Sequence, residues 1–70
     1  LANTAEILLQ LMGQLPEQQR LVIHLRDVEE YSYEEIEQIT GMYINNIRVT
    51  LSRARRSVRE MYTKLNAYGS

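Results

Sequence analysis

A small all-α domain is what this sequence predicts: four helices, three of them forming a core behind an N-terminal one, with the last two arranged as helix, tight turn, helix. Three observations carry that expectation. Apolar residues recur at alternating steps of three and four, Gly13, Pro16 and Gly41 punctuate the runs, and Ser32 stands three residues before Glu35 as a helix-start signature.

The elements follow in chain order. Thr4 is the expected N-cap of a first helix whose apolar face is Ile7, Leu8, Leu11, Met12 and Leu15, with Gly13 a weak point near its end. Pro16 suits the first position of a second helix, because its missing N–H would be unpaired there anyway. That helix should reach Val28 or Glu29, turning Leu21, Val22, Leu25 and Val28 inward with Ile23 at the boundary, before Glu29, Glu30 and Tyr31 make the connection. The Ser32 and Glu35 side chains then satisfy each other's orphan backbone N–H groups, so a third helix starts at Tyr33 and places Ile36, Ile39 and Thr40 on one face. Gly41 ends it, since a left-handed residue without a Cβ meets no steric penalty. After a turn at Gly41 to Tyr43, a long helix over about residues 44–65 buries the stripe Ile44, Ile47, Leu51, Ala54, Val58, Met61 and Leu65, and residues 66–70 fray.

The chain of 70 residues holds one domain over 1–70, with its core in 15–65; a domain of this size buries about 60% of the surface its unfolded chain exposes. Its first residue is Leu1 rather than Met, so an excised domain or a processed product is expected, with part of the function outside it. Cysteine is absent, which removes a disulfide framework and a thiolate metal site and fits a reducing cytoplasm. No apolar run approaches the roughly 20 residues of a membrane span and no signal-peptide pattern occurs, so a soluble protein without membrane contact is expected.

Net charge is only −1, but the average hides a segregation. Residues 1–47 hold eight acidic and two basic side chains, net −6, whereas residues 48–70 hold six basic and one acidic, net +5. Such asymmetry is the footprint of a polyanion partner, or else the solvated face of a surface helix. At 100° per residue, the direction opposite the apolar stripe of the last helix carries Asn45, Val49, Ser52 and Arg56, flanked by Asn46, Arg48 and Arg53. These are the residues a DNA groove would meet.

Enzymatic chemistry finds no footing. His24 is the one histidine and has no second ligand at metal spacing, no Gly-rich phosphate loop or nucleophile elbow occurs, and the adjacent Glu34 and Glu35 point in different directions on a helix. No active site, metal, cofactor or small-molecule substrate is expected. Met12, Met42 and Met61 are expected as core filler, and the acidic run from Asp27 to Glu37 as a solvated face or a surface that orients docking.

Three segments, LPEQQRLVIHLRDVE, YSYEEIEQITG and IRVTLSRARRSVRE, together resemble the C-terminal promoter-binding domain, region 4, of a bacterial extracytoplasmic-function sigma factor, over Leu15 to about Leu65. Glu37 stands where that family usually has a small residue, and Tyr43 where it usually has a capping Ser; Asn45 is then an alternative cap for a helix starting later. Val49 and Thr50 occupy positions that are often polar or basic in the family, so the promoter sequence is not transferable. The resemblance implies sequence-specific binding of double-stranded promoter DNA at the −35 element, docking on the β-subunit flap of core RNA polymerase, and covering by an anti-sigma factor, while a separate domain handles the −10 element.

On that reading Arg48 contacts guanine in the major groove, Asn45 or Asn46 adenine, Val49 a thymine methyl, and Ser52 makes an adaptable contact. Arg53 and Arg56 grip phosphates, with Arg20, Tyr31, Ser32 and Tyr33 holding the flanking backbone. Tyr31 and Tyr33 are alternatively packing residues, and Arg55 and Arg59, nearer the apolar edge, alternatively pair with the acidic helices. Two other classes fit the same pattern: the output domain of a response regulator, which binds DNA without polymerase, and a helical module whose basic helix meets an acidic protein.

Overall fold

The structure, a computed structural model, describes residues 3–69, with side chains through residue 67. Its helices are α1 (Thr4–Met12), α2 (Glu17–Ile23), α3 (Tyr33–Thr40) and α4 (Ile44–Gly69), and α2 runs on into a π-helical turn, His24–Val28. No strand occurs among the described residues. At about 1.5 Å per residue, the 26 residues of α4 account for most of the 42 Å long axis. The other elements lie against this spine: α1, α2 and α3 all pack on α4.

Local chemistry sets the boundaries. Asn3, not Thr4, caps α1: its Oδ1 accepts the Glu6 N–H at 2.8 Å and leaves Thr4 as the first helical residue. Both are capping types, and the one whose backbone is already extended takes the role. Pro16 likewise sits one position ahead of its expected place, with ψ 150°, so α2 opens at Glu17 while the Pro16 carbonyl accepts the Arg20 N–H.

The end of α2 departs furthest from a regular helix. The Glu29 N–H reaches back five residues to His24 and the Tyr31 N–H six residues to Leu25, which widens the last turn and lets the chain leave through Glu30 at φ 61°. The inward face is Val22 and Ile23, flanked by half-buried Gln19, Leu25 and Arg26, whereas Leu21 and Val28 are exposed. Ile23 is thus core rather than boundary, because the face is rotated by about one residue from the one that apolarity alone suggests.

The helix pair α3 and α4 follows expectation more closely. Ser32 Oγ accepts the Glu35 N–H at 3.1 Å while Glu35 Oε1 accepts the Ser32 N–H at 2.8 Å, completing the capping box. These bonds, that from the Ser32 N–H foremost, hold the Glu35 carboxyl below its ordinary range. Gly41 closes α3 at φ 77°, its N–H on the Glu37 carbonyl. Thr40 bridges the exit, donating to the Ile36 carbonyl and accepting the Met42 N–H. Ile36 is fully buried, but Ile39 faces solvent, since the packed side of this short helix runs through Tyr33, Ile36 and Thr40.

Ile36, Val22, Ile47 and Leu51 are the largest fully enclosed side chains, and Ala54 and Val58 extend the same α4 stripe against Leu11, Met12 and Leu15. Ile44, Met42, Met61 and Tyr62 are half-buried around it. Leu65 is exposed, and α4 stays helical through Gly69 where a frayed tail was expected; Ser70 lies outside the described residues.

Candidate nucleic-acid interface

The outward face of α4 is built by the burial of the inward one. With Ile47, Leu51 and Ala54 fixed in the core, helical spacing leaves Asn45, Asn46, Arg48, Val49, Ser52, Arg53 and Arg56 exposed along the first four turns. The helix begins at Ile44 on the Tyr43 carbonyl, which accepts the Ile47 N–H at 2.9 Å. Asn45 is therefore inside the first turn and does not cap a later start. Tyr43 supplies only its backbone at this boundary, and its ring is 81% exposed. Thr50, in contrast, is buried and takes no part in the outward face.

Each expected phosphate residue has a definite setting. Arg53 is exposed with no ion pair among the described residues. Arg56 donates Nε to Glu60 at 3.1 Å one turn along, an exposed pair of little energetic weight. Ser32 commits its N–H and its hydroxyl oxygen to the capping box, while its O–H donates to no described residue. Arg20 makes a long 3.5 Å bond to the Gly13 carbonyl, and among the described residues no hydrogen bond or ion pair joins it to α3 or α4. Tyr31 and Tyr33 are both half-buried and packed on the core.

Tyr33 is also the meeting point of two arginines. The Arg26 guanidinium lies 4.8 Å from its ring centroid and the Arg48 guanidinium 5.2 Å, both within cation–π range. Arg26 is further tied by Nη1 to the Tyr31 carbonyl at 2.9 Å. Sequence reasoning missed this cluster, whose members come from three different elements.

Arg55 points the other way and makes a bidentate contact with Asp27 of the π turn, at 2.9 and 2.5 Å. The Asp27 bond holds the Arg55 guanidinium above its usual range, so this arginine serves the fold and is spent as a DNA contact. Arg59 has no such partner among the described residues and borders a groove between α1, the π turn and the middle of α4. That groove, about 670 Å³, is walled chiefly by Leu8, Leu9, Met12, Val28, Val58 and Tyr62.

Other chemistry is sparse. His24 is exposed and lies 3.3 Å from Glu29. No cluster of three or more His, Asp or Glu among the described residues is arranged to hold a metal ion, and none of their helices is long and apolar enough to cross a membrane.

The family described as sigma-70, region 4, matches residues 5–58, from α1 through the last buried residue of α4. The chain belongs to that family. Its region 4 is similar to part of RNA polymerase sigma factor YlaC of Bacillus subtilis (strain 168), with 38% identity over 60 residues. The similarity takes in 86% of this chain but 35% of the relative, so the chain spans about a third of that protein's length. No solved structure matches it. The family match begins in α1, ahead of Leu15, and the region 4 resemblance drawn from the sequence is met.

Proposed function

We propose that this chain is the part of a sigma factor that recognises the −35 element of bacterial promoters and thereby helps direct core RNA polymerase to initiate transcription. The carrying observation is the two-sided α4: an apolar stripe buried from Ile47 to Val58 on one face and, opposite it, amide, hydroxyl and guanidinium donors at helical spacing. A major groove admits such a helix and distinguishes base pairs by the donors and acceptors on their edges. Arg48 takes guanine, Asn45 or Asn46 adenine, Val49 a thymine methyl and Ser52 either class of edge. Arg53 and Arg56 take phosphates and set register, Arg56 exchanging Glu60 for the DNA backbone. The capping-box end of α3, with Ser32 and Tyr33, borders the flanking strand, and Arg20 would leave its long bond to the Gly13 carbonyl to join them.

The polymerase contact belongs to the groove between α1, the π turn and α4. Its apolar walls suit one face of an amphipathic helix, the occupant being a segment of the β-subunit flap, and an anti-sigma factor would act by covering the same surface. Arg55, Val58, Arg59 and Tyr62 line the groove, whereas the base-reading residues end at Ser52, so one helix serves two partners, with Arg56 of the DNA side turned away from the groove residues that flank it in sequence.

Duplex binding measured against salt tests the DNA half: log affinity should fall with log salt at a slope of about −0.9 per neutralised phosphate. Arg53→Ala should flatten that slope by about one unit and weaken all sequences alike, whereas Arg48→Ala should relax preference at one base pair. Equal losses on every duplex for both variants would refute the division of roles. Flap binding abolished by Val28→Asp, with duplex binding retained, is the expected result for the polymerase half. Duplex binding with no flap binding would favour a stand-alone regulator, and neither would favour an acidic protein partner.

A further inference from the structure

We propose that Tyr33 is a positioning residue for Arg48, holding its guanidinium ready for a base edge. This inference rests on the promoter-DNA reading above and adds to it a residue on the supporting helix that acts on specificity through another side chain. Arg48 is exposed, and apart from the ring it makes no hydrogen bond or ion pair with any described residue. All five of its N–H donors are thus unspent, on a side chain whose rotamer freedom must be given up when it grips a base in two places. The Tyr33 ring removes part of that freedom in advance while consuming no donor, since a cation–π contact engages the face of the guanidinium or its charge and leaves the N–H fork open.

The ring is itself well held. Tyr33 is the first residue of α3, flanked by the reciprocal Ser32 and Glu35 bonds, and its side chain packs on the core. Arg26 lies over the same ring and is anchored to the Tyr31 carbonyl, so it fixes the platform and cannot itself reach out to DNA without giving up that bond. Of the two arginines at Tyr33, only Arg48 is free to serve a ligand. The recognition helix therefore carries its strongest base-reading candidate on a support supplied from another helix.

The test has one arm without DNA and one with it, both on the full chain. In the free chain, the Arg48 Nε–Hε resonance should show a ring-current displacement that Tyr33→Leu removes and Tyr33→Phe keeps, with circular dichroism reporting that each variant is folded. An undisplaced resonance in the unmutated chain overturns the proposal, whatever Tyr33→Leu does to folding. In the second arm, duplexes selected from a random pool are varied one base pair at a time. Tyr33→Leu should reduce discrimination about two- to five-fold at the base pair that Arg48→Ala relaxes, Tyr33→Phe should restore it, and the double variant should lose no more than Arg48→Ala alone. If the unmutated chain discriminates and Tyr33→Leu discriminates equally well, the positioning role is overturned and the promoter reading stands. If the unmutated chain prefers no duplex, the promoter reading fails and takes this role with it, even where the ring contact is visible by resonance.

Discussion

The two halves of α4 carry one apolar period and two fates. From Ile47 to Val58 the stripe is closed by α1, α2 and α3, and Ile47 retains 0% of its exposure; from Met61 onward the period continues, yet Leu65 remains 48% exposed. Periodicity states which face can be buried, and a crossing element decides whether it is. The first half can therefore present a rigid outward face to a groove, while in the second half burial fades from the half-buried Met61 and Tyr62 to the exposed Leu65.

The largest way to break this contrast is Ile47→Ala. Emptying a fully enclosed site should cost about 2–5 kcal/mol, a large part of the stability of so small a domain, seen as a lowered midpoint in chemical denaturation. A loss below 1 kcal/mol there would mean that the first half is no better packed than the second.

Gly41→Ala attacks the turn that presses α3 onto this half. A Cβ at Gly41 would meet no atom within 4 Å, so the whole penalty is backbone strain at φ 77°, about 1–2 kcal/mol. Gly41→Asn, which tolerates that region better, should cost less, and equal losses for the two would point to a cause other than φ.

Ser32→Ala removes the cap that starts α3, at about 0.5–2 kcal/mol. The capping box also has a pH signature. Because folding lowers the Glu35 pKa from its ordinary 4.5, that contribution is complete above the ordinary value and is lost as pH falls through the lowered one. Thermal midpoints should therefore decline less steeply on acidification in Glu35→Gln, which keeps an acceptor for the Ser32 N–H but does not titrate, than in the unmutated chain, and parallel acid limbs would contradict the link.

Leu65→Ala is the counterpart of the first substitution and the smallest effect. Leu65 is exposed and lies outside the core cluster, so the change should alter stability by no more than about 0.5 kcal/mol. A cost near that of Ile47→Ala would show that the second half of α4 is covered in solution, for instance by a second copy of the chain.

Much of the α3, turn and α4 unit was legible because independent signals agreed there: a reciprocal cap, a glycine at the exit and a stripe at steps of three and four. The exposed positions Asn45, Arg48, Ser52 and Arg53 followed from that stripe by subtraction. Legibility failed where composition and geometry parted. The π turn has no residue signature, and Glu30 takes a left-handed conformation without being glycine. Leu21, Val28 and Ile39 are apolar but lie beside, not on, the packed faces, so counting apolar residues turned Leu21 and Val28 inward and put Ile39 on one face with Ile36. The Arg48 contact with Tyr33 joins residues from separate helices, and helical periodicity, which speaks only of one helix at a time, is silent on such pairs. The pairing of Arg55 with an acidic element was within reach, since its position at the stripe edge pointed to it, but Asp27 as the partner depends on the turn that aims it.

Chemical-shift mapping of the full chain titrated with a duplex it has selected from a random pool tests the central claim most directly. The claim predicts perturbations concentrated on Asn45, Asn46, Arg48, Val49, Ser52, Arg53 and Arg56, with the groove residues Leu8, Met12 and Val28 unmoved. Perturbations centred on that groove, with the outward face of α4 unchanged, would contradict it.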